Sequence, residues 1–289
     1  MEKSEYSLQV YDPPHFTSVL KMSKLEFDKY SDQINSLSKL SRDENLFRMV
    51  ELNYQDIQNL IDKTLKQIAE KKADQSIFDY LFLDINRLIL NFLSSIRTYL
   101  DHTETRLKKQ YGKDSSEFKI FKEKTSYAYD NNFSYRFLYK LRNFAQHCGL
   151  PASAFNITSS DEGNFLKLSL VRNDLIKNYD GWGKLKTELA NQDEQFDILE
   201  LLLVKIDLLK VINTDINRLT YEYYKEAGFE LLHLLLKTKG MKGGPCLVAS
   251  KGNPKGLNLV ISHFPFEIIG KVTGAEIKII NASTNNYVN

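Results

Sequence analysis

This chain has few cysteines, little net charge and no long uninterrupted apolar run, and each shortage removes a class of protein. Its two cysteines, Cys148 and Cys246, stand nearly a hundred residues apart. They form neither a disulfide framework nor a zinc-type spacing, and they suit a reducing, cytoplasmic setting. The formal net charge is +2. That is too small for a surface that wraps a long nucleic-acid duplex, though not for one that meets a short stretch of it. The apolar run Ile77–Leu93 carries Asp79, Asp84 and Arg87, and Phe196–Ile212 carries Asp197, Glu200, Lys205, Asp207 and Lys210. Charges at that density are too costly in lipid, so neither run is expected to span a membrane. The start Met1-Glu2-Lys3-Ser4-Glu5 lacks the apolar core of a signal peptide. His15, His102, His147, His233 and His263 show no His-Glu-x-x-His spacing, so neither a metal site nor a cofactor is expected. Internal repeats, a Walker loop and a Gly-x-Ser-x-Gly elbow are also missing.

What is present is an ordinary globular composition, 42% hydrophobic and 26% charged over 289 residues, enough for a substantial core. Residues 1–42 read as a loosely packed N-terminal extension. Tyr6-Ser7-Leu8-Gln9-Val10-Tyr11 alternates like a short strand or arm, and Pro13-Pro14 interrupts it. A helix is predicted from Asp43 or Glu44 to about Lys72, on Leu46, Met49, Val50, Ile57, Leu60, Ile61, Leu65 and Ile68. A second runs from an N-cap at Ser76 to Gly112, with an apolar face wide enough for the centre of a bundle. Asp114-Ser115-Ser116-Glu117 opens a third, which Asp130-Asn131-Asn132 ends. A fourth covers Phe133 to Cys148, stopped by a left-handed Gly149 and by Pro151.

After Pro151, the stretches 154–158 and 165–171 read as a hairpin inserted at about 152–172. A turn at Asp180–Gly183 and a short helix over 184–190 follow, then a long helix from about Glu194 to Lys237, with Asn213 or Gly228 as kinks. Residues 240–289 form a small appendage. In it a glycine- and lysine-rich link through Gly256 precedes apolar runs at Leu257–Ile261 and Ile277–Ile280 that suit edge strands. Gly243-Gly244-Pro245 and Lys251–Gly256 could cradle a phosphate but lack the spacing, and they read as surface connections.

The fourth helix carries the chemistry. On a wheel of about 100° per residue, Phe137, Leu138, Leu141, Phe144, Ala145 and Cys148 share one face, the expected core side. Arg136, Lys140, Asn143 and His147 form a cationic stripe with an imidazole at its C-terminal end. Arg142 lies about 140° from His147 by the same arithmetic. In one regular helix the two do not point at one ligand. Arg97-Thr98-Tyr99-Leu100-Asp101-His102 repeats the Arg-x4-His spacing, and reads as a solvated flank of the second helix or a supporting shell. Tyr135, Tyr139 and Trp182 read as core or rim, with Tyr139 also suited to stacking on an unpaired base.

Arg142-Asn143-Phe144-Ala145-Gln146-His147 resembles the signature of HEPN-domain ribonucleases, an all-helical family in which an Arg, often followed by a polar residue, precedes a His by a few positions. The resemblance covers mainly residues 43–151, with the long helix after Glu194 completing the bundle. It implies a mainly α fold: a HEPN-like helical domain over 43–239, with the hairpin insertion and the β-containing C-terminal appendage as additions. It also implies a homodimer with the motifs of both copies lining one cleft, RNA as substrate, and a toxin or anti-phage role with an antitoxin or activating partner.

The residue types suit metal-independent RNA cleavage. The 2′-hydroxyl attacks its own phosphorus. A histidine moves the proton, and an arginine holds the non-bridging oxygens. The expected catalytic residues are therefore Arg142, Asn143 and His147, with Arg136 and Lys140 guiding the RNA backbone. The alternative is a non-catalytic HEPN-like module that binds RNA or a protein.

Overall fold

The computed structural model describes residues 4–70, 72, 75–160, 163–253 and 256–278. The chain is mainly helical with two small antiparallel sheets. In order, β1 (Glu5–Asp12) and β2 (His15–Met22) lead into α1 (Lys24–Ala69), α2 (Gln75–Tyr111), α3 (Ser116–Asn131) and α4 (Phe133–His147). Next come β3 (Ala154–Ser160), β4 (Gly163–Val171), α5 (Arg172–Asn178), a 3-10 turn at Asp180–Trp182, α6 (Leu185–Ala190), β5 (Gln195–Asp197) and α7 (Ile198–Leu236). β6 (Gly244–Asn253), β7 (Gly256–His263) and α8 (Phe266–Thr273) close the described chain. Among the described residues no helix is long and apolar enough to cross a membrane.

Two compact units divide these elements, residues 45–216 and residues 1–44 with 217–289. The boundaries fall inside α1 and α7.

In the second of these units the sheet order is β2-β1-β6-β7, all antiparallel. The segment 1–42 was expected as a loose extension, but its described part, from residue 4 on, is structural. β1 is an interior strand whose Leu8 and Val10 are buried at alternate positions. Its partner β6 is the segment expected as a flexible glycine-rich link. Leu8 and Leu247 join Phe27, Ile34, Leu37, Leu231, Leu234 and Ile268 in one core. Cys246 on β6 is also buried, and burial pushes its thiol up to about 11, which leaves it inert near neutral pH. Of the two apolar runs expected as edge strands, Leu257–Ile261 lies in β7, an edge of the sheet. Ile277 is in no strand, and residues 279–280 lie outside the described residues, as do Pro254, Lys255, Asp161 and Glu162.

α1 starts about twenty residues before the predicted Asp43. Its start signal is Ser23-Lys24-Leu25-Glu26, a capping box. The Ser23 backbone N–H donates to Glu26 Oε2 at 2.8 Å, and the Glu26 N–H donates to Ser23 Oγ at 3.2 Å. Ile34, Leu37 and Leu40 then bury one face.

Gly243 turns the chain into β6 with φ +109°, and a Cβ there would lie 2.4 Å from the Tyr11 carbonyl oxygen. Both the left-handed backbone and the clash oppose a side chain. Gly243→Ala is expected to destabilise the protein by about 1–3 kcal/mol. Chemical denaturation would check this, and an unchanged midpoint would show that the β1–β6 edge yields to the extra atom.

In the unit of residues 45–216, the predicted α2, α3 and α4 form close to their expected bounds. Ser115 caps α3, its Oγ accepting from the Phe118 N–H at 3.2 Å. Ser76 lies inside the first turn of α2 rather than at its cap. The buried side of α1 here is Phe47, Val50, Ile57 and Ile61, while the predicted Met49 is exposed. α2 supplies Leu81, Ile85, Ile89, Phe92 and Ile96 to the core. The predicted hairpin is β3–β4, and its sheet gains β5 as a third strand. α7 is a continuous helix through Asn213 and Gly228.

Candidate active site

Three of the six buried positions of α4, Tyr135, Phe137 and Phe144, are aromatic, and their packing helps fix the helix. Phe137, Leu138, Leu141 and Phe144 are buried as the wheel predicts. Phe137 stacks on Trp182 with ring centroids 5.6 Å apart and planes 8° from parallel. Phe144 stacks on the same indole from 6.0 Å, and Phe133, Tyr179 and Phe196 complete the cluster. The Trp182 indole N–H donates to the Leu175 carbonyl at 2.8 Å, so its polar edge is satisfied although the ring is 1% exposed.

The end of α4 departs from expectation in two ways. Gly149 is not in the left-handed region. The helix instead stops at a Cys148 cap whose N–H donates to the Phe144 carbonyl at 2.8 Å. Cys148, placed on the core face by the wheel, is exposed, because the backbone leaves helical geometry at that residue. The chain beyond is pinned by the buried Asn86 on α2, which accepts from the Ala152 N–H at 2.8 Å.

The expected site residues separate into four groups. Arg136 is held inside the fold. Its guanidinium donates to the Tyr129 carbonyl and pairs with Glu188 on α6, which positions α4 and leaves the side chain 16% exposed. Lys140 and Asn143 are half-buried. His147 is exposed at the last residue of α4, and no hydrogen bond or ion pair engages it among the described residues.

Arg142 turns elsewhere. Its Nη1 donates to Gln146 Oε1 at 3.0 Å, while its buried Nε has no partner. It lines a small pocket with Leu93, Ile96, Arg97 and Leu100 of α2, Leu138 and Tyr139 of α4, and Lys205 of α7. His147 is not part of that lining. Within one chain, therefore, Arg142 and His147 do not converge, as the 140° separation predicts.

The structure brings the two Arg-x4-His arginines together, but not their histidines. Arg97 donates from Nη1 to the Tyr139 hydroxyl at 2.6 Å, pairs through Nε with Asp101 at 2.7 Å, and lies over the Tyr139 ring at 5.3 Å. Tyr139 is thus occupied in holding Arg97. His102 is exposed and outside the pocket lining.

Lys205 is the residue that sequence reasoning missed. It is 1% exposed, and no carboxylate pairs with it among the described residues. Its Nζ lies 2.9 Å from the Tyr135 ring centroid and 3.5 Å from the Tyr135 carbonyl. A signal existed: Lys205 stands three residues after Leu202 and four before Leu209, inside the buried stripe of α7. As a mere interruption of an apolar run, it served only to argue against a membrane span.

Burial holds the Lys205 ammonium well below lysine's ordinary pKa of 10.5. Between that depressed value and 10.5 the unfolded chain binds the extra proton and the folded chain does not. The burden this residue places on folding is therefore fullest below its folded pKa and fades as pH rises to 10.5. Unfolding free energy measured from about pH 6 to about pH 10 is expected to climb more steeply in wild type than in Lys205→Met. Equal slopes would mean that the ammonium is solvated.

Among the described residues no group of three or more His, Cys, Asp or Glu is placed to hold a metal ion. The arrangement offers a cationic pocket and, at the end of the same helix, a free imidazole. No protein-family model matches the chain, and no curated protein and no solved structure matches it either.

Proposed function

We propose that the protein is a HEPN-like, metal-independent endoribonuclease that cleaves RNA by transesterification. The observation that carries this reading is that α4 holds both Arg142, whose Nε lacks a partner, and a free, exposed His147. The 2′-oxygen of RNA attacks the adjacent phosphorus as the bond to the 5′-oxygen breaks. His147 takes the 2′-proton, and a proton returned to the leaving oxygen gives a 5′-hydroxyl beside a 2′,3′-cyclic phosphate. Arg142 stabilises the charge on the non-bridging oxygens, and Asn143 orients the phosphate by hydrogen bonding.

Because Arg142 and His147 of one chain diverge, the complete site in this reading forms between two copies, each supplying one α4 end. Lys140 remains a candidate guide for the RNA backbone, and Arg136 does not. A toxin or anti-phage role with a regulating partner fits such an activity.

The test is a mixed RNA pool incubated in EDTA with wild type and with His147→Ala, followed by analysis of product ends. Cyclic-phosphate ends from wild type alone are expected. Equal cleavage by both proteins rejects the mechanism. The divergence of Arg142 from His147 favours a second reading, a non-catalytic RNA-binding module, which would retain the RNA without shortening it.

A further inference from the structure

We propose that the outer edge of β7 is a self-association surface, on which a second copy of this chain adds its own β7 antiparallel to the first. β7 ends the sheet β2-β1-β6-β7, and among the described residues nothing pairs with its far side. An edge strand presents a row of unmet backbone donors and acceptors, and sheets usually blunt such a row with charge, proline or a bulge. The other edge, β2, carries the exposed Lys21, and its pairing with β1 shifts register between Leu8 and Gln9. β7 has none of these devices. Gly256–Ser262 holds neither a charged residue nor a proline, and its register against β6 runs unbroken from Asn253 opposite Gly256 to Cys246 opposite His263.

Both faces of the strand are also left apolar and open. Val260 and Ser262 pair with Ala249 and Leu247, so they lie on the core side of the sheet, yet Val260 is 64% exposed. Leu259 and Ile261, on the opposite face, are exposed as well. The occupant follows from the order of the side chains. In a two-fold pair each residue meets the one equally far beyond the axis in the second copy. With Val260 facing its own counterpart, Leu259 lies opposite Ile261, and Asn258 lies opposite Ser262. Directly opposite residues share a face. The leucine–isoleucine pairs therefore fall together on one face, and on the other the two valines are flanked by polar pairs. No like charges oppose one another, a condition that a charged residue near the axis would break. The pairing uses neither α4 nor RNA, so it stands or falls apart from cleavage.

A single strand pair is a small interface, so dissociation constants of about 10–100 µM are expected. The test is sedimentation velocity of the full chain across that range, with melting temperatures recorded alongside. Wild type is expected to self-associate. Val260→Lys and Val260→Glu each put like charges at the axis. Each is expected to weaken this step at least about tenfold, with little change in melting because the side chain is exposed. An equimolar mixture of the two variants is expected to associate again, since lysine then faces glutamate. Association through α4 is common to all these proteins, so the comparison isolates β7. Association of Val260→Lys equal to that of wild type, or no recovery on mixing, overturns the proposal. A monomeric wild type also overturns it, and hydrogen exchange of the outward β7 amides then names the occupant. Slow exchange assigns the edge to another segment of this chain, and fast exchange leaves it to a strand of a different protein.

Discussion

RNA cleavage by His147→Ala is expected to fall by about 10²–10⁴-fold, with thermal stability essentially unchanged. The size follows from the role. A positioned acid/base contributes about that much. The stability expectation follows from exposure. His147 is exposed, and exposed substitutions usually stay within about 0.5 kcal/mol.

Arg142 should behave differently. Arg142→Ala is expected to cost about 10²–10³ in rate. Arg142→Lys should fail to restore it, because an ammonium cannot present two parallel donors to a phosphate. Rates on a single-site RNA, with circular dichroism melts of each variant, separate these effects. Cleavage by His147→Ala within a few-fold of wild type would remove the imidazole from the mechanism, even if Arg142→Ala were inactive.

The largest stability effect is expected at Trp182. Trp182→Ala should lower the unfolding free energy by about 3–5 kcal/mol. The indole is the shared surface on which Phe137, Phe144 and Tyr179 pack, and its removal leaves a cavity lined by rings that cannot collapse onto one another. Trp182→Phe should cost less through packing, but it leaves the buried Leu175 carbonyl without its donor, worth about 1–3 kcal/mol. Urea unfolding checks both. The consequence reaches the site, because this cluster holds the buried face of α4 whose other side carries Arg142. Under conditions where Trp182→Ala remains folded, RNA cleavage is expected to drop as α4 loosens. A loss below about 1 kcal/mol would show that Arg136–Glu188 and the apolar contacts of Leu138 and Leu141 suffice to hold the helix.

How far the sequence could be read depended on the distance over which each signal acts. α2, α3 and α4 follow from i, i+3, i+4 recurrences and from the Ser115 cap, which act within a turn or two. The start of α1 was equally local, in Ser23-Lys24-Leu25-Glu26, but the stronger periodicity after Asp43 masked it. β1 and β6 were legible only as a strand-like arm and a flexible link. Each leaves half its backbone donors unmet until the other, more than 230 residues away, supplies acceptors. β5 is three residues long and has no period to detect. Cys148 shows the limit of a helical wheel, since its angle is meaningless once the backbone leaves the helix.

The candidate site divides in the same way. The motif Arg142-Asn143-Phe144-Ala145-Gln146-His147, its place at a helix end and the divergence of its two charged residues were determined by the sequence alone, because helical angle is a property of spacing. The meeting of Arg142 with Arg97 and Lys205, the capture of Arg136 by Glu188 and the exposure of His147 were decided by tertiary structure. The reason is physical: a cation's role depends on which opposite charge, if any, the packing of other helices brings within a few ångströms, and no spacing along one helix records that.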